Sequence, residues 1–158
     1  YKTVGSCLAP FDSYLLIRGI KTLPIRMERQ QENALAIAKW LQTQKKIKQV
    51  YYIGLEDHPG YEINKKQTTG FGSMISIRTD SEATARRVLA RIRLITYAES
   101  LGGVESLMTY PMLQTHGDVP VETRERLGIT EDFLRFSVGI ENVDDLIADL
   151  DQALNGED

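Results

Sequence analysis

Three short stretches hold side chains with chemical use. The first is Glu99-Ser100-Leu101-Gly102-Gly103. Paired glycines let backbone amides approach a ligand closely, and a serine hydroxyl can donate to a carboxylate. The same five residues also make a tight turn that simply needs glycine. The second stretch is Gln114-Thr115-His116-Gly117-Asp118. It is a polar cluster of the kind that carries function in loops, and an imidazole such as that of His116 can serve as acid or base. Equally, Thr115 and Asp118 can hold such a loop by local hydrogen bonds. The third is Arg135, within Leu134-Arg135-Phe136-Ser137-Val138-Gly139-Ile140. On a strand, Leu134, Phe136, Val138 and Ile140 share one face, and Arg135 and Ser137 take the other. A guanidinium fork suits a two-point grip on a carboxylate. A strand arginine also commonly ends in solvent, on the open side of a one-sided sheet.

The elements that must position these groups follow from apolar spacing. A helix is expected from about Ser13 to Leu23, capped by Asp12 or Ser13 and broken at Pro24. A longer helix runs from about Ile25 to Gln44, with Met27, Ala34, Ala38 and Leu41 at helical spacing beside Leu35 and Ile37. Within it, residues 26–32 read as a solvated face with charge pairs, and Trp40 reads as packing. Strands are expected at Gln49–Ile53, Gly72–Arg78, Leu94–Ala98 and Phe133–Ile140, with a turn at His58-Pro59-Gly60. Asp80 or Ser81 caps a helix whose Ala85, Val88, Leu89 and Ile92 form one stripe. Pro120 opens a short helix that Gly128 closes. Asn142 caps a last helix, with Val143, Leu146, Ile147, Leu150 and Leu154 on one face and Gly156 at its end. The expected class is α/β of the α+β type. It is a two-layer domain with about four strands in a mixed or antiparallel sheet and helices on one face.

Bulk properties exclude several functions. The 158 residues carry a net charge of -3, and the basic residues are scattered, so no nucleic-acid face is expected. No apolar run approaches the ~20 residues that span a bilayer. Cys7 is the one cysteine, which rules out an internal disulfide, fits a reducing compartment and reads as a half-buried thiol. Two histidines and one cysteine do not make a zinc site. No Gly-x-Ser-x-Gly elbow and no Gly-rich nucleotide turn is present. The first residue is Tyr1, not Met, and the chain is read as beginning away from a translation start.

Several blocks resemble one family in order along the chain. They are residues 10–23, Arg26-Met27, His58-Pro59-Gly60, Gly70-Phe71-Gly72-Ser73-Met74, residues 98–107, Thr115-His116 and residues 134–141. Together they resemble the Cys/Met-metabolism, or transsulfuration, enzymes that depend on pyridoxal phosphate (PLP). That family includes cystathionine γ-synthase, cystathionine β- and γ-lyases, methionine γ-lyase and the acylhomoserine sulfhydrylases. The resemblance implies that Ser100 and Arg135 bind the α-carboxylate of an amino-acid substrate, that Thr115 lines the same site, and that Glu99 influences β- against γ-chemistry. It implies a cytoplasmic enzyme that is a homotetramer at full length.

The resemblance also implies a division. Residues 1–26 correspond to the end of the large PLP domain and the hinge, and residues 27–158 to the small C-terminal domain of fold-type I PLP enzymes. The family's cofactor-anchoring lysine sits in a Ser-x-Thr-Lys context, which this chain does not contain; Lys21 matches a different family position. The PLP site is therefore expected on an upstream domain, and this chain alone is expected to be inactive. Its wording leans towards cystathionine γ-synthase or another acylhomoserine enzyme. The alternatives are a β- or γ-lyase, or a non-catalytic remnant acting as a binding or assembly module.

Overall fold

A computed structural model describes residues 3–156. Its elements are α1 (Pro10–Ile20), α2 (Leu23–Gln42), β1 (Ile47–Tyr51), α3 (Tyr61–Gln67), β2 (Met74–Thr79), α4 (Glu82–Arg91), β3 (Thr96–Tyr97), β4 (Leu107–Thr109), α5 (Val121–Arg126), β5 (Phe133–Ser137) and α6 (Val143–Asn155). The strands form one five-stranded sheet in the order β1-β2-β5-β4-β3. Among the described residues, only the β3–β4 pair is parallel. The class is the expected α/β one, with a mixed sheet and five strands instead of four.

Strand register explains the two faces. Val50 pairs with Ile77, Ile77 with Leu134, Ile75 with Phe136, and Phe136 with Met108. All six are buried. They share one core with Ala34, Ile37, Ala38 and Leu41 of α2, Ala85 and Val88 of α4, and Leu146, Leu150 and Leu154 of α6. Each fully buried Val, Leu or Ile among them contributes about 1.5–3 kcal/mol. Trp40 packs against this core as expected. The caps at Ser81 and Asn142 form: Ser81 accepts from the Thr84 N–H, and Asn142 from the Asp144 and Asp145 N–H groups.

A buried carboxylate joins α6 to the chain entering β3. Asp149 accepts the backbone N–H groups of Arg93, Leu94 and Ile95 at 2.9 Å each. Those amides have no strand partner at that point, so the carboxylate satisfies what the short β3 cannot.

Several expectations need correction. The first helix starts three residues early because Pro10 occupies its first turn, where a missing N–H costs nothing. Its N-cap is Ala9, with no side-chain cap bond, so neither Asp12 nor Ser13 caps it. The chain breaks at Lys21-Thr22, and Pro24 sits in the first turn of α2. Met27 is 40% exposed, because the N-terminal half of α2 extends past the helix-covered core. Cys7 is exposed, not half-buried. The helix α3 and strand β4 had no counterpart in the sequence reading.

Candidate functional site

Arg135 lies in the middle of β5. In register it stands opposite Ser76 on β2 and Thr109 on β4, and Ser76 stands opposite Tyr51 on β1. Their neighbours along each strand point into the helix-covered core. Tyr51, Ser76, Arg135 and Thr109 therefore form a row on the other face of the sheet. The expected orientation of Arg135 is the observed one.

The guanidinium has few partners. Its Nη2 donates to Thr109 Oγ1 at 3.2 Å, and Thr109 Oγ1 donates to the Ala98 carbonyl at 2.8 Å. Its Nε is buried with no hydrogen-bond partner. Among the described residues, no Asp or Glu forms an ion pair with it. A buried donor left unmade costs about 1–3 kcal/mol. An incoming anion would recover that cost.

Ser100 and Glu99 lie in the exposed loop between β3 and β4. Neither makes a side-chain hydrogen bond among the described residues, but the loop around them is held at several points. The Gly102 N–H donates to Ser137 Oγ at 3.1 Å, two residues along β5 from Arg135. Gln30 Nε2 donates to the Gly103 carbonyl at 2.5 Å. The Ile140 N–H donates to the Val104 carbonyl at 2.9 Å. Ser106 donates to Glu141 through its backbone N–H at 2.6 Å and through Oγ at 2.9 Å. Ser106 Oγ also accepts from the Gly139 N–H at 2.9 Å. From α2, Asn33 Nδ2 donates to the carbonyls of Gly139 and Glu141 at 3.1 and 2.9 Å.

Two glycines make this arrangement possible. Gly102 has φ of 80°, a left-handed conformation that strains other residues. At Gly139 an added Cβ would run into the Val104 carbonyl. The loop and the chain just after β5 are thus pressed backbone to backbone.

Thr115 is half-buried in the segment between β4 and α5. Its Oγ1 and His116 Nδ1 are hydrogen-bonded at 2.7 Å. The His116 N–H donates to the Pro111 carbonyl at 2.9 Å, and Gln114 Oε1 accepts from the Tyr110 N–H at 2.8 Å. Local bonds therefore hold this loop, although Asp118 supplies none of them. No hydrogen bond joins Thr115, Ser100 or Glu99 to Arg135. The link between Arg135 and the glycine loop runs instead through Thr109–Ala98 and Ser137–Gly102.

Reading the sequence missed Gln30, Asn33, Thr109, Ser106 and Glu141. Residues 26–32 do include an exposed Arg29–Glu32 pair at 3.7 Å. Gln30, in the same run, is only 2% exposed and faces the loop. The inward turn of one amide in a charged run leaves no compositional signal.

The model of the Cys/Met metabolism PLP-dependent enzymes matches residues 1–155. The chain belongs to this family. Cystathionine β-lyase of Coxiella burnetii is 51% identical over 152 residues, which is 96% of this chain and 39% of that protein. Cystathionine γ-lyase of Bacillus subtilis is 47% identical, over 96% of this chain and 40% of that one. The crystal structure of cystathionine γ-synthase from Xanthomonas oryzae pv. oryzae, in complex with cystathionine, superposes with a TM-score of 0.91. It is 42% identical, over 98% of this chain and 40% of that one. The chain thus spans about two fifths of the length of these relatives.

The family's cofactor is pyridoxal phosphate. An anion such as a carboxylate has the charge and geometry to meet the open Nε of Arg135.

Proposed function

We propose that this chain is the substrate-carboxylate-binding portion of a PLP-dependent enzyme that breaks or makes the C–S bond of cystathionine. The observation that carries this reading is the buried, unpartnered Nε of Arg135 on the open face of the sheet. Arg135 grips both carboxylate oxygens. The Ser100 hydroxyl donates to one of them from the glycine loop. Thr115 lines the site, and Glu99 faces the side chain and biases β- against γ-chemistry. When bound, the cofactor supplies the electron sink for the reaction. The residues of this chain hold the amino acid still and fix which of its bonds faces that sink.

Residues 1–26 belong to the cofactor-binding portion and hinge, and residues 27–158 to the small domain. Support comes from α1, which has no buried residue and exposes Phe11, Leu16 and Ile17. The whole enzyme is a cytoplasmic homo-oligomer, a tetramer as in the family pattern.

For the reaction, cleavage of cystathionine by a lyase comes first. The lyases above are 47–51% identical over 152 residues, while among solved structures a γ-lyase and the γ-synthase are equally similar, at 42%. The sequence wording leans the other way, towards the synthase. Assay of the holoenzyme with cystathionine, and separately with an acylhomoserine plus cysteine, tests the choice. Pyruvate and homocysteine from cystathionine support β-cleavage. Cystathionine formed from the second pair restores the synthase reading.

By itself the chain lacks the anchoring lysine motif and is expected to be inactive. Absorbance of the chain with added PLP, before and after borohydride, checks this. No band fixed by reduction is expected, and cofactor trapped on one specific lysine would contradict it.

A further inference from the structure

We infer that Thr109 is a positioning residue for the substrate carboxylate: its hydroxyl holds the Arg135 fork and the Ser100 loop in one fixed relation. The inference rests on the proposed role of Arg135 and deepens it.

The argument begins with proton count. A threonine hydroxyl has one proton to give and lone pairs to accept with. Thr109 donates that proton to the Ala98 carbonyl at 2.8 Å. It must then accept from Arg135 Nη2, at 3.2 Å. The direction of both bonds is fixed, because guanidinium only donates and carbonyl only accepts. Thr109 is 1% exposed, so water does not compete for either bond.

Position makes the hydroxyl consequential. Thr109 is directly opposite Arg135 across the β4–β5 ladder. Ala98 directly follows β3 and is two residues before Ser100, and its own N–H is tied to the Met108 carbonyl at 3.0 Å. One hydroxyl therefore touches the guanidinium on one side and the base of the Ser100 loop on the other. It occupies a single N–H of a five-donor group, so the fork keeps the donors needed for a two-point grip. A carboxylate side chain here would pair with Arg135 and compete with the substrate. A neutral acceptor steers the cation without saturating it.

The test uses the holoenzyme with Thr109→Val, Thr109→Ser and Arg135→Ala. Two probes report on the site: inhibition by alanine, which has the α-carboxylate, and by ethylamine, which lacks it. Thr109→Val is expected to raise KM and weaken alanine inhibition about tenfold, with kcat changed far less and ethylamine inhibition unchanged. Thr109→Ser restores both values to within about threefold. A general packing defect would weaken both probes alike, and that result overturns the inference. So does an unchanged KM in Thr109→Val when Arg135→Ala raises it strongly. If Arg135→Ala leaves alanine inhibition intact, the carboxylate reading itself fails.

Discussion

Two arginines stand on the same face of the sheet and have opposite fates. Arg78 on β2 finds an acid in its own chain: its Nε and Nη2 reach the Asp132 carboxylate at 3.3 and 3.2 Å. Thr130 Oγ1 also donates to Asp132, and Lys48 lies 3.9 Å away. Arg135 on β5 finds only the neutral hydroxyl of Thr109, and its Nε has no partner. The first arginine stitches the sheet to the turn before β5. The second is left with a buried, unmade donor, at a cost in stability.

Asp132 shows the electrostatic side of the contrast. Burial pushes its carboxyl up, but the hydrogen bonds from Thr130 and Arg78 outweigh this and hold it below its ordinary value of 3.8. The hydrogen bond to Asp132 is likewise the main reason the Arg78 guanidinium is raised. Folding and charge are thus linked at Arg78. At Arg135, the expected linkage is with substrate.

Substitutions can break the contrast. Arg135→Ala should give the largest effect. It removes about 2–5 kcal/mol of carboxylate binding, a fall of roughly thirtyfold or more in kcat/KM of the holoenzyme. The melting temperature should hold or rise, since a buried unmade donor is deleted. Equal losses of Tm and kcat/KM would place Arg135 among the structural arginines. Asp132→Asn should do the reverse. It should destabilise the fold by about 1–2 kcal/mol in denaturant unfolding, with KM unchanged.

The smallest effect is in pH. A carboxyl held below its unfolded value adds stability above that value and loses it as pH falls through the folded one. Wild type should therefore be more stable than Asp132→Asn at pH 7, with the gap closing below about pH 4. A gap that does not narrow as the pH falls below about 4 would mean that shape, not charge, makes the Asp132 contribution.

Much of the fold was legible because long elements bury one face. Ile75 and Ile77, or Leu146, Leu150 and Leu154, carry the periods of strand and helix plainly. β4 was not legible: Leu107, Met108 and Thr109 are all buried, so three residues show no alternation. Nor was α3, whose Tyr-Glu-Ile-Asn-Lys-Lys-Gln has no apolar stripe. It is held from outside, by Tyr61 stacked on Phe71 at 5.3 Å and by Asn64 bonded to the Gly70 carbonyl at 3.0 Å.

At the site, strand alternation gave the direction of Arg135. Residue order could not reveal its lack of an acid, because Asp132, three residues away, is spent on Arg78. The clasp from Asn33 through Gly139 to Ser106 spans α2, the chain after β5 and the loop, and no local pattern encodes it.

The central claim is that Arg135 receives a substrate carboxylate. A crystal structure of the holoenzyme with a bound amino acid tests it most directly. The account predicts both carboxylate oxygens within about 2.7–2.9 Å of the Arg135 guanidinium, with Nε among the donors and Ser100 Oγ on one oxygen. A carboxylate held elsewhere, with Arg135 paired to an acidic side chain of the protein, would contradict it.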